Sequence, residues 1–311
     1  MDHIRWRMAL RAGVFVMTLA GLGATHIVLA GDWPMWGRTP ARNMTAPDET
    51  NLPEEFNPGT YKDGTEEVDP ATTDRIKWVA KLGSQSYGNV SVAGGRIFVG
   101  TNNESPRNPK YKGDRGVVMC FDEKSGAFQW QLVVPKLGAG KVSDWEYLGI
   151  CSSPAVDGNR VYVVTNRCEV ICLDVAGMKN GNDGPFKTEG KYSGGGAAGA
   201  TDADIIWIYD MREELGIFPH NITSSSALIV DDTVFVTTSN GQDWSHVNIP
   251  NPNAPCLIAL DKKTGKLIGE ETSQISKRLM HCNWSSPAAV RTEAGWMEAL
   301  TLRGVFGAGD G

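Results

Sequence analysis

From residue 91 onward, short runs of alternating apolar and polar residues recur, separated by breaks rich in Gly, Asn and Asp. The clearest runs are Arg96-Ile97-Phe98-Val99, Arg160-Val161-Tyr162-Val163-Val164 and Thr233-Val234-Phe235-Val236-Thr237. Alternation with a period of two puts one set of side chains on each face of a pleated strand, and the β-branched and aromatic content suits that surface. Before each run lies a segment that opens on serine: Ser91-Val92, Ser152-Ser153-Pro154-Ala155-Val156 and Ser225-Ser226-Ala227-Leu228-Ile229-Val230. A fourth such segment begins at Ser285-Ser286-Pro287. Gly94-Gly95, Asp157-Gly158-Asn159 and Asp231-Asp232 separate the two runs, and these residue types accept the positive φ of tight hairpins. A third strand is predicted at 117–121, 170–173 and 257–260. A fourth, carrying tryptophan, is predicted at Ile76-Lys77-Trp78, Phe128-Gln129-Trp130 and Ile206-Trp207-Ile208.

Four antiparallel strands repeated along a chain predict an all-β protein, a β-propeller of four-stranded blades. Successive serine segments are 62, 73 and 60 residues apart, longer than the roughly 40–50 residues of common blades. Three polar, Gly-rich insertions at 103–115, 176–203 and 241–255 account for the excess and read as surface loops. Trp78, Asp122, Gly126, Trp130, Asp174, Trp207, Asp261 and Gly265 recur at equivalent places and read as blade-building residues, the tryptophans as packing between blades.

The first thirty residues break this pattern. Arg5, Arg7 and Arg11 precede an apolar run over 12–24, and Val28-Leu29-Ala30 precedes Gly31. This predicts a signal peptide over 1–30, cleaved after Ala30, and a periplasmic or secreted protein with no stable membrane span after cleavage. The apolar run is short for a span of about 20 residues. The net charge is −6. The first thirty residues carry three arginines and one aspartate, so the remainder sits near −8. Such an acidic surface argues against nucleic-acid binding. Six cysteines are present, but their spacing does not form a disulfide framework: Cys168 and Cys172 on one strand would lie about 13 Å apart, beyond bridging distance. Cys120 and Cys172 stand where another repeat has Ala259, which predicts small buried side chains.

The hairpin Asp122-x-x-Ser125-Gly126-x-x-x-Trp130 and its partial copy at Asp261, Thr264 and Gly265 resemble the repeat of pyrroloquinoline-quinone (PQQ) propellers, the quinoprotein dehydrogenase-like family. The opening segment Asp32-Trp33-Pro34-Met35-Trp36-Gly37 with Arg42-Asn43 is similar to that of secreted bacterial members. The resemblance covers roughly 32–311. Counting copies predicts three full blades, part of a fourth and one orphan strand at Trp78. Residues 31–75 are expected to be an irregular N-terminal segment and 76–311 a partial propeller. The end at Asp310-Gly311 reads as a hairpin turn and is expected to mark a fragment of a longer chain.

In a propeller the loops leaving the fourth strands, at 83–89, 135–151, 212–224 and 272–284, share one face with those after Asn102, Asn166 and Asn240. That face rings the mouth of the central channel, where loops on a rigid scaffold bind ligands. Candidate ligand contacts there are Asn102, Trp145, Glu146, Asn166, Arg167, His220, Asn240, Asp243, Trp244, His246 and His281. The histidines are 26 and 35 residues apart, an irregular spacing that only the fold would bring together, and no metal site is assigned from it. Asn180-Gly181-Asn182-Asp183-Gly184 hints at a calcium loop, but the twelfth position of such a loop falls on Lys191 rather than glutamate.

Two functions are expected from the resemblance. The first is a binding or scaffold module that takes a small molecule, glycan or protein partner at the channel mouth without cofactor, as outer-membrane assembly propellers of this repeat family do. The alternative is a PQQ-dependent periplasmic dehydrogenase oxidising an alcohol or sugar, with PQQ and calcium as cofactors and its catalytic residues in a missing C-terminal part. Catalytic residues are not assigned for either.

Overall fold

The computed structural model describes residues 31–50, 52–291 and 297–301. The expected signal peptide and the turn at Asp310-Gly311 lie outside them. The first blade is β1 (Ser91–Ala93), β2 (Arg96–Asn102), β3 (Arg115–Asp122) and β4 (Phe128–Pro135). The second is β5 (Ala155–Asp157), β6 (Arg160–Val164), β7 (Glu169–Asp174) and β8 (Ile205–Asp210), and the third is β9 (Leu228–Val230), β10 (Thr233–Thr237), β11 (Leu257–Asp261) and β12 (Leu267–Glu270). β13 (Pro287–Arg291) and β14 (Met297–Thr301) begin a fourth. Every sheet is a simple antiparallel meander in chain order, with β1, β5 and β9 innermost. Neighbouring innermost strands touch in turn, β1 with β5, β5 with β9 and β9 with β13. The fold is thus a β-propeller with three four-stranded blades and two strands of another among the described residues.

The blades are copies in detail. The third strand of each bulges at the same place, between Cys120 and Phe121, Cys172 and Leu173, and Ala259 and Leu260. Cys120 and Cys172 sit opposite Trp130 and Trp207 across the sheet. A small buried side chain there leaves room for the indole. All six cysteines carry free thiols. Cys168 departs from the expected strand: it occupies the turn before β7, at φ 63°.

Each tryptophan docks on the next hairpin. The indole N–H of Trp78 donates to the Glu123 carbonyl (2.9 Å), that of Trp130 to Val175 (3.0 Å) and that of Trp207 to Lys262 (3.2 Å). The ring lies on a glycine of that hairpin: Gly126 under Trp78, Gly177 under Trp130, Gly265 under Trp207. Apolar contact area and a satisfied N–H act together at each dock. Asp122 and Asp261 shape two of these turns. Each carboxylate accepts from the backbone N–H and the hydroxyl three residues on, at Ser125 and Thr264, and these bonds hold both carboxyls below the ordinary range.

Two expectations about elements need correction. Residues 76–82 pair with no described strand, so Trp78 acts through its dock and not through a sheet. The insertions of the first two blades are packed together and are not free loops: Tyr111 is 1% exposed, its hydroxyl donates to Asp202 (3.2 Å), and Lys110 pairs with Asp202 at 3.0 Å. The second insertion also folds a single helical turn, α1 (Glu189–Tyr192). A second short helix, α2 (Met211–Leu215), leaves β8 with Asp210 accepting from the N–H of Arg212 and Glu213, and stops at Gly216 in the left-handed region. Among the described residues no helix is long and apolar enough to cross a membrane.

The N-terminal stretch crosses the innermost strands of all four blades. Trp33 exchanges both backbone hydrogen bonds with Val92, at 2.7 and 3.0 Å. The Pro34 carbonyl accepts from Val156 N–H (2.7 Å) and the Pro40 carbonyl from Ala289 N–H (2.9 Å). The Arg42 guanidinium donates to the carbonyls of Pro287 (3.1 Å), Ala227 (3.0 Å) and Ser226 (3.3 Å), and to Trp36. Burial pushes its pKa down to about 10, so it remains charged at neutral pH.

Gly265 lies at φ +71°, and a Cβ there would sit 2.5 Å from the Trp207 ring. Gly158, at φ +57°, has open space around it. Gly158→Ala should therefore cost only the left-handed backbone penalty of about 1–2 kcal/mol. Gly265→Ala should cost about 3 kcal/mol or more, because it also displaces the indole. Urea unfolding of the two variants measures the difference, and equal losses would contradict the docking role of Trp207.

Candidate functional site

Hydrogen bonds gather the loops after the fourth strands onto one face. Trp145 N–H donates to Asn221 O and Asn221 N–H to Val142 O, both at 2.8 Å. Gln242 N–H donates to His281 O (2.8 Å). Beneath them a belt of serines links successive blades: the Ser153 hydroxyl accepts from Asn89 N–H, that of Ser226 from Ser153 N–H, and that of Ser286 from Ser226 N–H, at 2.8–3.0 Å. The belt surrounds a cavity of about 310 Å³ that opens under Tyr87, Cys151 and Trp284 and is bounded by Trp36 of the N-terminal segment. A second cavity of about 470 Å³ adjoins it, lined by Tyr87, Leu148, Cys151, Ile222, Ser224 and Trp284. Cys151 belongs to both, and burial pushes its thiol up to about 12, which leaves it protonated and unreactive.

Of the eleven ligand candidates, the three asparagines are internal braces. All are buried. Asn102 accepts from Ser84 N–H (3.0 Å) and donates to Tyr147 O (2.6 Å). Asn166 donates to Pro135 O (3.2 Å) and Asp144 (2.9 Å). Asn240 accepts from Phe218 N–H (3.0 Å) and donates to Asn251 O and the Ser276 hydroxyl, both at 2.9 Å. Each ties the end of its blade's second strand to the loop that leads into that blade, and Asn102 and Asn240 also reach the loop into the next. Arg167 pairs with Glu169 at 3.0 Å. Trp145 lies under the Lys141 ammonium, 5.1 Å from the ring centre, and Glu146 is exposed.

His220, His246 and His281 do come together, with ring centres 4.9–5.1 Å apart. Three short segments carry them, and isolated antiparallel bridges join these at Pro219 with Asn240 and Gly241 with Cys282. Gly241 makes this approach feasible: a Cβ there would lie 2.1 Å from His281 O and 2.9 Å from the His220 Cβ. Trp284 braces the group by donating to the carbonyls of His220 and Ile222, both at 3.1 Å. His220 is fully buried, and its Nδ1 lies 2.7 Å from the Gln242 carbonyl. A carbonyl only accepts, so Nδ1 carries the proton and Nε2 presents a lone pair, without a hydrogen-bond partner. Burial, then the neighbouring imidazoles, lower the pKa of His220. Asp243 and Trp244 stand beside the cluster, Asp243 held by Ser245 and Asn248.

Trp36, Tyr87, Cys151 and Trp284 were not among the candidates, although the last three lie on loops expected at the mouth. The serine starts of the innermost strands were the available signal, since residues just before them reach the mouth. Sequence reasoning also missed a second acidic group. Asp174, Asp183 and Asp204 bring carboxylate oxygens within 4.8 Å of one another, so the Asn180–Gly184 stretch joins a cluster assembled in space rather than a linear calcium loop.

Comparisons with known proteins bear on family. A family model described as "Outer membrane protein assembly factor BamB" matches residues 66–282. No curated protein matches the chain. Among solved structures, BamB from Moraxella catarrhalis aligns at 16% identity and TM-score 0.36, over 66% of this chain and 44% of that one. A europium-containing methanol dehydrogenase aligns at 14% identity and TM-score 0.41, over 78% and 32%. The quinohemoprotein alcohol dehydrogenase from Comamonas testosteroni aligns at 13% and 0.40, over 76% and 26%. The chain spans less than half the length of each of these three.

Burial, and then its acidic neighbours, raise the Asp204 carboxyl above its ordinary value of 3.8, although the Asp183 N–H partly opposes this. The folded chain therefore holds a proton that the unfolded chain releases, and stability falls as pH rises from 3.8 through the folded value. Asp204→Asn keeps the acceptor for Asp183 N–H and removes the buried charge. With chelator present it should be at least as stable as the parent at pH 7, and its melting temperature should vary less between pH 4 and 7. A lower melting temperature at pH 7 would contradict this.

Proposed function

The chain belongs to the PQQ-like repeat β-propeller family of the outer membrane protein assembly factor BamB type, and we propose that it is an exported docking module that binds a protein partner on its loop face. The observation that carries this reading is which side chains that face leaves outside. Tyr87, Trp244 and Val247 are 61%, 57% and 82% exposed, and Tyr147 and Met280 about half. Large apolar and aromatic groups kept in water at loop tips are what a protein interface buries. The polar residues that a small ligand would use, Asn102, Asn166 and Asn240, are already committed to bracing the loops.

The signal-like start supports a periplasmic or secreted location, and an assembly-factor relative supports a partner from the cell envelope. The N-terminal segment 31–75 and the propeller from 76 onward are read as one working unit, because residues 33–42 bound the channel. A quinone-dependent dehydrogenase remains the alternative, with PQQ and calcium in the channel mouth. Trp36, Tyr87, Trp284 and the serine belt would then have to hold the quinone, which would supply the redox chemistry.

A photo-crosslinking residue placed at Trp244 or Tyr87 in the exported protein should trap a protein adduct in cells. The same residue at Lys124 or Lys263, on the docking hairpins, should trap none. Adding PQQ and calcium to the purified protein should give no stoichiometric quinone absorbance. Equimolar quinone uptake with dye-linked oxidation, or adducts from the hairpins alone, would contradict the docking reading.

A further inference from the structure

We propose that His220, His246 and His281 form a binding site for a divalent transition-metal ion of the zinc and copper class, with an open coordination position facing solvent. The proposal goes beyond partner docking and does not depend on it.

The arrangement has the parts that such a site needs. Three imidazoles from three separate loops present ligand nitrogens within 4.8 Å of one another. Four-coordinate zinc, with bonds to nitrogen of about 2.0–2.1 Å, holds donor atoms roughly 3.3 Å apart, so closure requires only small side-chain shifts. His246 and His281 are exposed and free to make them. His220 is the fixed member. Its ring is fully buried, and its Nδ1–H is anchored on a backbone carbonyl, the outer contact that sets the tautomer of metal-ligating histidines.

The second, independent observation is the Nε2 of His220, which is buried and has no hydrogen-bond partner. Leaving such a buried acceptor unmet is unfavourable, and a cation satisfies it. The backbone is built around the cluster as well. Gly241 permits the close approach of the three segments, and His246 sits at φ 57°, a strained conformation of the kind that collects at functional positions. Neutral imidazole nitrogen suits zinc, copper and nickel rather than calcium or magnesium. Three protein ligands, with the two outer ones exposed, leave the remaining position to water or to a donor from a bound partner, whereas purely structural zinc sites are closed by four. The ion would also staple the loops that follow the second and third blades.

The test uses the untagged exported protein and Co²⁺ and Cu²⁺ as spectroscopic probes. One equivalent of Co²⁺ should bind with visible ligand-field bands of four- or five-coordinate geometry, and the electron paramagnetic resonance of bound Cu²⁺ should show coupling to imidazole nitrogen. His246→Gln and His281→Gln remove exposed side chains and should leave the thermal melt of the metal-free protein unchanged. Each should weaken Zn²⁺ binding at least tenfold in competition dialysis. Gly241→Ala keeps all three imidazoles but spreads them, and should weaken binding too. Zn²⁺ binding no tighter than millimolar, or affinity unchanged in both histidine variants, would overturn the proposal.

Discussion

Each blade of this propeller leaves one strand edge facing the central axis, and those inner edges must find hydrogen-bond partners. Unpaired backbone groups are costly when they are shielded from water, and a bare edge also invites other strands to pair with it. Residues 33–42 meet this demand for four blades at once: a full bridge to Val92, single bonds to Val156 and Ala289, and the Arg42 guanidinium on the carbonyls of Ser226, Ala227 and Pro287. Arginine suits the last task because its planar fork carries several donors and stays ionised when partly buried. The segment resembles no strand, because it serves four different partners in turn.

The candidate site follows from that constraint. Trp36 bounds the mouth cavity because the segment that carries it is pinned between blades. The serine belt keeps the innermost strand starts at one height, and the asparagine braces hold the loops above them. On the periphery the tryptophan docks set the spacing of neighbouring blades. The histidine cluster lies where these restraints converge, on the loops that lead into the third and fourth blades and on the insertion of the third. Its geometry is thus a product of the scaffold, and the exposed aromatic tips beside it are what the scaffold leaves available to a partner.

The strands were legible because alternation and hairpin residues are local properties. Asp122, Gly126 and Trp130 could be placed on an outer hairpin from their repeat alone. The docks could also be anticipated as packing, although which glycine each indole would meet could not, since Trp207 reaches across 55 residues to Lys262. The N-terminal segment was legible as irregular and, at 32–43, as similar to a family opening segment, but its role on the inner strands was not, because single hydrogen bonds to scattered strands leave no periodic trace. The insertion 103–115 read as a surface loop because the packing of Tyr111 under the second insertion is a contact between distant segments. The three histidines gave no usable spacing. Their meeting depends on Gly241, whose importance lies in a close approach between distant segments that no local pattern records. Cys151 and Trp284 end two of the loops that were placed at the mouth, but they were not named as contacts, because a lone cysteine or tryptophan beside a strand start does not show that it lines a cavity.

The central claim is that residues 33–42 complete the inner edges of the blades and so hold the mouth in shape. Native-state hydrogen exchange tests it most directly, because amide protection reports the free energy needed to open each bond. The account predicts that the amides of Trp33, Val92, Val156 and Ala289 exchange as slowly as those of the central strands β2 and β6, through the same global opening. Exchange of these four amides as fast as that of the peripheral residues 57–74, while β2 and β6 stay protected, would contradict it.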